Sequence, residues 1–136
     1  MPLTSPVWDA VYPAEIQLPY HIVGNPWPGF PLIGPVTFES GTPYSELAIV
    51  RFILSHSLGH RPNITLTSEV EPSEPECRTL YEKISIINSA TWVFSILALS
   101  GEDFNIPQGN WAWRIEMEDV NGLLFDAYRG VLTATL

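Results

Sequence analysis

The chain has 136 residues, 46% of them hydrophobic and only 15% charged, with six Lys and Arg against fifteen Asp and Glu and a formal net charge of −9. That balance argues against nucleic-acid binding and against attraction to an anionic membrane surface, since both need a basic footprint. No run approaches the roughly 20 apolar residues of a membrane-spanning helix, and a lone cysteine, Cys77, leaves no internal disulfide to form.

The first 44 residues hold nine of the thirteen prolines and seven of the sixteen aromatics, with no Lys or Arg. Prolines at 2, 6, 13, 19, 26, 28, 31, 35 and 43 forbid a long helix or a central strand. Disordered linkers are poor in bulky apolar groups, whereas here Trp8, Tyr12, Tyr20, Trp27 and Phe30 stand between the prolines. Residues 1–44 are therefore expected to form an extended arm that binds neighbouring subunits through these five rings. The N-terminus lacks a cationic start and an uninterrupted apolar run, so a soluble protein without a signal peptide is expected.

From residue 45 the pattern changes to strands, and 45–136 suffices for one two-sheet core of roughly 100 residues. Leu47–Leu54 is β-branched and aromatic, with Ala48, Val50, Phe52 and Leu54 expected on one face and Arg51 on the other. Asn63–Ser68 alternates, with Ile64 and Leu66 inward. Glu69–Cys77 is acidic with two prolines and reads as a loop, although Ser73-x-x-Glu76 also has the spacing of a capping box that would open a short helix. Ile84–Ile87 and Thr91–Leu99 read as strands, the second with Trp92, Phe94, Ile96 and Ala98 on one face. Asn110–Glu118 alternates, with Trp111, Trp113, Ile115 and Met117 facing the core. Asp119-Val-Asn-Gly122 is a hairpin turn in which Gly122 takes positive φ. Leu123–Tyr128 returns and Val131–Leu136 closes the chain. About seven short strands, no long helix and regular turns predict an all-β, antiparallel β-sandwich.

Little in the sequence points to chemistry. His56-x-x-x-His60 has the spacing of two metal ligands on a helix, but it follows a strand and contains a glycine, so two turn residues are expected. Asp119, Asn121 and Asp126 resemble part of a calcium loop without its remaining ligands. Glu116, Glu118 and Asp119 are read as solvating acids on an exposed face and turn. Cys77 has only Arg78 beside it, which does not mark a reactive thiolate. No catalytic, cofactor-binding or metal-ligating residue is expected, and no cofactor.

The segment Ile106-Pro-Gln-Gly-Asn-Trp-Ala-Trp-Arg-Ile-Glu-Met-Glu-Asp-Val-Asn-Gly122, with Tyr128-Arg-Gly130 in the return strand, resembles small immunoglobulin-like β-sandwich domains of tailed-bacteriophage virion proteins, of the baseplate or tail type. The resemblance covers about 30 residues well and 45–136 loosely, and it does not extend to the arm. It implies a non-enzymatic structural component of a bacteriophage virion (tail, baseplate or capsid-decorating), assembled in the host cytoplasm. Its partners would be other virion subunits, with homo-oligomers expected and neither nucleic acid nor membrane. A different reading is a carbohydrate-binding β-sandwich using exposed tryptophans, and it turns on whether Trp111 and Trp113 are buried.

Overall fold

A computed structural model of the chain describes residues 14–15, 18, 20–36, 38, 45–56 and 62–136. Ten strands are formed and no helix occurs among the described residues: β1 (Ala14–Glu15), β2 (His21–Ile22), β3 (Phe30–Ile33), β4 (Leu47–His56), β5 (Pro62–Thr67), β6 (Thr79–Leu80), β7 (Ile84–Asn88), β8 (Val93–Ile96), β9 (Gly109–Asp119) and β10 (Leu124–Thr135). The larger sheet runs β1-β10-β9-β4-β5-β6, with β2 also on β10, and the smaller runs β3-β8-β7. The long strands pair antiparallel, as expected. The short additions β1, β2 and β6 pair parallel, so the larger sheet is mixed rather than purely antiparallel. The acidic stretch before β6 is a loop without the capping-box helix.

Period-two alternation places the core. Val50, Phe52 and Leu54 of β4, Trp111, Trp113, Ile115 and Met117 of β9, and Leu132 and Ala134 of β10 turn inward and are buried. Facing them are Ile33, Ile84, Phe94 and Ile96 of the smaller sheet. Two expected inward residues, Ala48 and Ala98, are exposed. A register shift between Leu47 and Ile49 inserts Ala48 as an extra residue, which reverses the alternation at that point and leaves Leu47 buried instead. β8 ends at Ile96, and the chain then turns so that Leu99 bridges Trp27. Trp92 lies just outside β8 with φ of 60°, yet it is buried, and its Nε1 donates to the Ser45 carbonyl at 2.9 Å.

The hairpin after β9 follows the expected chemistry. Gly122 has φ of +84° and its N–H donates to the Asp119 carbonyl at 3.0 Å. The turn is closed by a left-handed glycine, as expected. Asp119 departs from the solvating role expected of it. It is 2% exposed, its Oδ1 accepts the Asn121 and Leu123 N–H groups at 2.9 Å each, and its Oδ2 accepts from Ser45 Oγ. A buried carboxylate survives because its oxygens are fully bonded.

Packing begins well upstream of the expected boundary at residue 45. Trp27, Ile33, Val36 and Phe38 are buried core residues, and β3 is an edge strand of the smaller sheet. Trp27 stacks on Phe104 with centroids 4.6 Å apart and 7° between planes, and it contacts Phe52 at 5.2 Å. Phe38 meets Trp92 edge-on at 4.9 Å and Phe125 at 5.7 Å. Trp27, Ile33, Val36 and Phe38 thus complete the core that 45–136 was expected to close alone, and residues 1–13 lie outside the described part.

Emptying the Trp27 position should cost about 3–5 kcal/mol, the range for large aromatic core positions. Tyr20, only seven residues away but 75% exposed, should tolerate alanine within about 0.5 kcal/mol. Urea denaturation of Trp27→Ala and Tyr20→Ala measures both. A Trp27→Ala protein as stable as the parent would return that segment to the status of a detachable arm.

Candidate interaction surfaces

Of the five aromatic residues expected to bind partners, Trp8 and Tyr12 lie outside the described residues. Tyr20 is exposed. Trp27 is buried, and Phe30 is half-buried against Trp27, Phe52 and Trp113 at 5.9, 6.3 and 5.7 Å. The rings of Trp27 and Phe30 are thus occupied by their own chain, because the indole fills the space between the sheets beside Phe104. The four described tryptophans, Trp27, Trp92, Trp111 and Trp113, are all 6% exposed or less. Of the two spaced histidines, His56 ends β4 and His60 lies outside the described residues. No group of three or more His, Cys, Asp or Glu among the described residues is placed to hold a metal ion.

The outer face of the larger sheet carries the charges. Arg51, at the centre of β4, donates from Nε to Glu69 Oε1 at 3.1 Å and from Nη1 to Glu116 Oε1 at 2.9 Å and Glu118 Oε1 at 3.3 Å. Burial pulls the Arg51 pKa down, but the three carboxylates outweigh it and the net shift is upward. Thr67, buried, donates to the same Glu69 oxygen at 2.9 Å and accepts the Glu69 N–H at 3.2 Å. Beside this cage lies a groove of about 380 Å³ bordered by Glu69, Glu74, Glu76, Thr79 and Tyr81. The sequence shows Arg51 as the cation of an outward face; its carboxylates come from two separate places, Glu69 after β5 and Glu116 with Glu118 on β9, which the β4–β5 and β4–β9 registers bring together.

One strand along, Arg114 Nη1 reaches Asp126 at 3.3 Å and Glu116 Oε2 at 3.4 Å. Burial raises the Asp126 pKa, against the lowering influence of Arg114. Between Arg114 and Arg129 lies a depression of about 320 Å³, bordered also by Ser55, Ala112, Gly130 and Val131. No spacing in the sequence marks it, since its floor is small residues from three strands.

The short strands β1 and β2 pair with β10 on the side away from β9. Ala14 pairs with Tyr128 and Glu15 with Arg129, then His21 with Ala134 and Ile22 with Thr135. His21 is 5% exposed and meets Phe104 edge-on at 5.0 Å, and its Nε2 has no hydrogen-bond partner. Burial lowers its pKa below the ordinary 6.5. Around it the chain contributes Leu18, Asn25, Pro26 and Trp27, with Tyr20 the other titratable group in that hollow.

No protein-family model matches the chain, and no curated protein or solved structure matches it either.

Two outcomes follow from these contacts. Arg51→Gln strips a bonded cation from three carboxylates and should cost about 1–3 kcal/mol, with part of the loss recovered in 1 M NaCl, where screening shortens to about 3 Å; chemical denaturation at both salt levels reads it. His21 should make stability fall in acid. Its folded pKa is depressed, so its contribution is complete above the unfolded value near 6.5 and declines as pH falls toward the folded value. Thermal melts at pH 7.5 and 5.0 should show a smaller drop for His21→Leu than for the parent; equal drops would rule out His21 as the source.

Proposed function

We propose that this protein is a non-enzymatic structural component of a bacteriophage virion, an immunoglobulin-like β-sandwich that binds neighbouring subunits, including copies of itself, through its outer faces and its N-terminal segment. The observation carrying this reading is where the apolar and aromatic side chains lie. The described tryptophans are spent inside the fold, while Tyr20 and Ile22 stand 75% and 51% exposed together where β2 joins β10. Exposed apolar residues gathered at one place mark a contact surface more readily than scattered ones do. The resemblance of residues 106–130 to virion sandwich domains supplies the setting, and the low charge content supports burial against partners. Carbohydrate binding through tryptophans loses its motivating feature, because Trp111 and Trp113 are 6% and 2% exposed.

Particles purified from the phage that encodes this chain, banded by density and probed with an antibody against it, test the reading. The chain should band with the particles in fixed ratio to the major structural proteins. Its confinement to the soluble lysate would overturn the proposal.

A further inference from the structure

β2 is fastened to the larger sheet by very little. Its two residues pair parallel with the end of β10, His21 beside Ala134 and Ile22 beside Thr135, and the Val23 N–H donates to the Thr135 carbonyl at 2.8 Å. Ile22 is exposed, so the buried position of β2 belongs to His21. Its surroundings are apolar. Phe104 meets the imidazole edge-on at 5.0 Å, and Leu18 and Val23 pack against the core from either side of it in sequence. The Nε2 atom is buried without a hydrogen-bond partner, which costs stability. A phenyl ring would keep the edge contact and carry no such cost. Packing of the neutral ring therefore does not account for an imidazole here.

The cation is worse placed than the neutral ring. Protonated imidazole donates from both nitrogens, and here the Nε2 donor has neither an acceptor nor water. The titratable group that shares the hollow is Tyr20. On the loop carrying Phe104, Glu102 and Asp103 border a different hollow, with Arg78. The ionisable side chains of β10 are Asp126, Tyr128 and Arg129, the last two at the pairing with β1, where Glu15 lies beside Arg129. The terminal carboxylate is on exposed Leu136. Residues 22–30 carry no charge. Burial is accordingly what lowers the His21 pKa, with no described carboxylate acting against it.

Release of β2 has a built-in stopping point. Gly24, at φ of +92°, turns the chain, and the Asn25 N–H donates to the Ile22 carbonyl at 3.0 Å. Past the turn, Trp27 is held by two backbone bonds to Leu99 and by its stack on Phe104. We propose that His21 is an acid-operated latch, whose protonation frees β2 from β10 while the chain from Trp27 onward stays folded. Such a local opening needs less free energy than unfolding the whole chain. It leaves Ala134 and Thr135 unpaired on that side, the condition in which a sheet edge accepts a further strand. The latch does not depend on what the chain assembles with.

Amide hydrogen exchange of the full chain, read by NMR at pH 7.5 and pH 5.0 and corrected for intrinsic rates, tests the latch. Protection of the Val23 N–H should fall by up to about tenfold for each pH unit below the unfolded histidine value near 6.5. At pH 5.0 it should lie well below the protection of the Trp27 N–H. Equal protection of the two at pH 5.0 would show that acid opens the whole chain rather than β2, and an unchanged Val23 would show that acid opens nothing; either overturns the proposal. His21→Phe keeps the ring contact without the titration, so its Val23 protection should not vary with pH over this range. The parent's pH dependence persisting in that variant would remove His21 as the trigger. The parent alone supplies a check that needs no variant: its imidazole ring protons should titrate with a midpoint below 6.5, and a midpoint at or above that value would exclude the latch.

Discussion

The rest of the structure hangs on the aromatic column that begins at Trp27. Its indole lies on Phe104 and against Phe52, and Phe52 in turn stacks on Trp113 with centroids 5.6 Å apart and 21° between planes. The column therefore joins an upstream segment, a loop and two long strands in one contact set. Backbone bonding reinforces it, with Trp27 and Leu99 exchanging N–H to carbonyl bonds at 2.9 and 2.8 Å. Once Trp27 is seated, Phe30–Ile33 can lie only beside β8. The fit there is tight enough that a Cβ on Gly29, at φ of +69°, would approach the Ile96 carbonyl oxygen to 2.3 Å. Pro31 is tolerated in β3 because that strand is an edge and its missing N–H breaks no ladder.

The long strands were legible because alternation is a local signal. Asn110–Glu118 announces its two faces to any reader, and its hairpin turn carries its own chemistry in Asp119, Asn121 and Gly122. What was not legible depends on distance along the chain. Trp27 sits among prolines and looks like an anchor for a neighbour; its actual pocket is made by Phe52 and Phe104, from other parts of the sequence. Asp119 looks like a solvated acid until Ser45 arrives from 74 residues away. The parallel pairings of β1, β2 and β6 have no composition cue, since two-residue strands are too short to show a period. The depression between Arg114 and Arg129 is invisible for a related reason. Small residues leave no pattern, and their effect appears only when three strands align them.

Strand edges are the usual hazard of an all-β protein, because unpaired N–H and C=O groups invite further strands. In this fold the described edges are blunted by different means. β10 is covered along part of its length by β1 and β2. β6 is two residues long. β3 contains a proline. β7 is bracketed at its ends, where the Lys83 N–H bonds the Thr67 carbonyl and the Leu47 N–H bonds the Ser89 carbonyl.

The two sheets offer unlike outer faces. β3, β7 and β8 contain no charged residue, and Leu32 and Ile87 stand exposed on them. The larger sheet carries an ion-paired zone around Arg51 on its outer face. At a net charge of −9, two copies meeting at random repel. Repulsion is least on faces without charge, as on β3, β7 and β8.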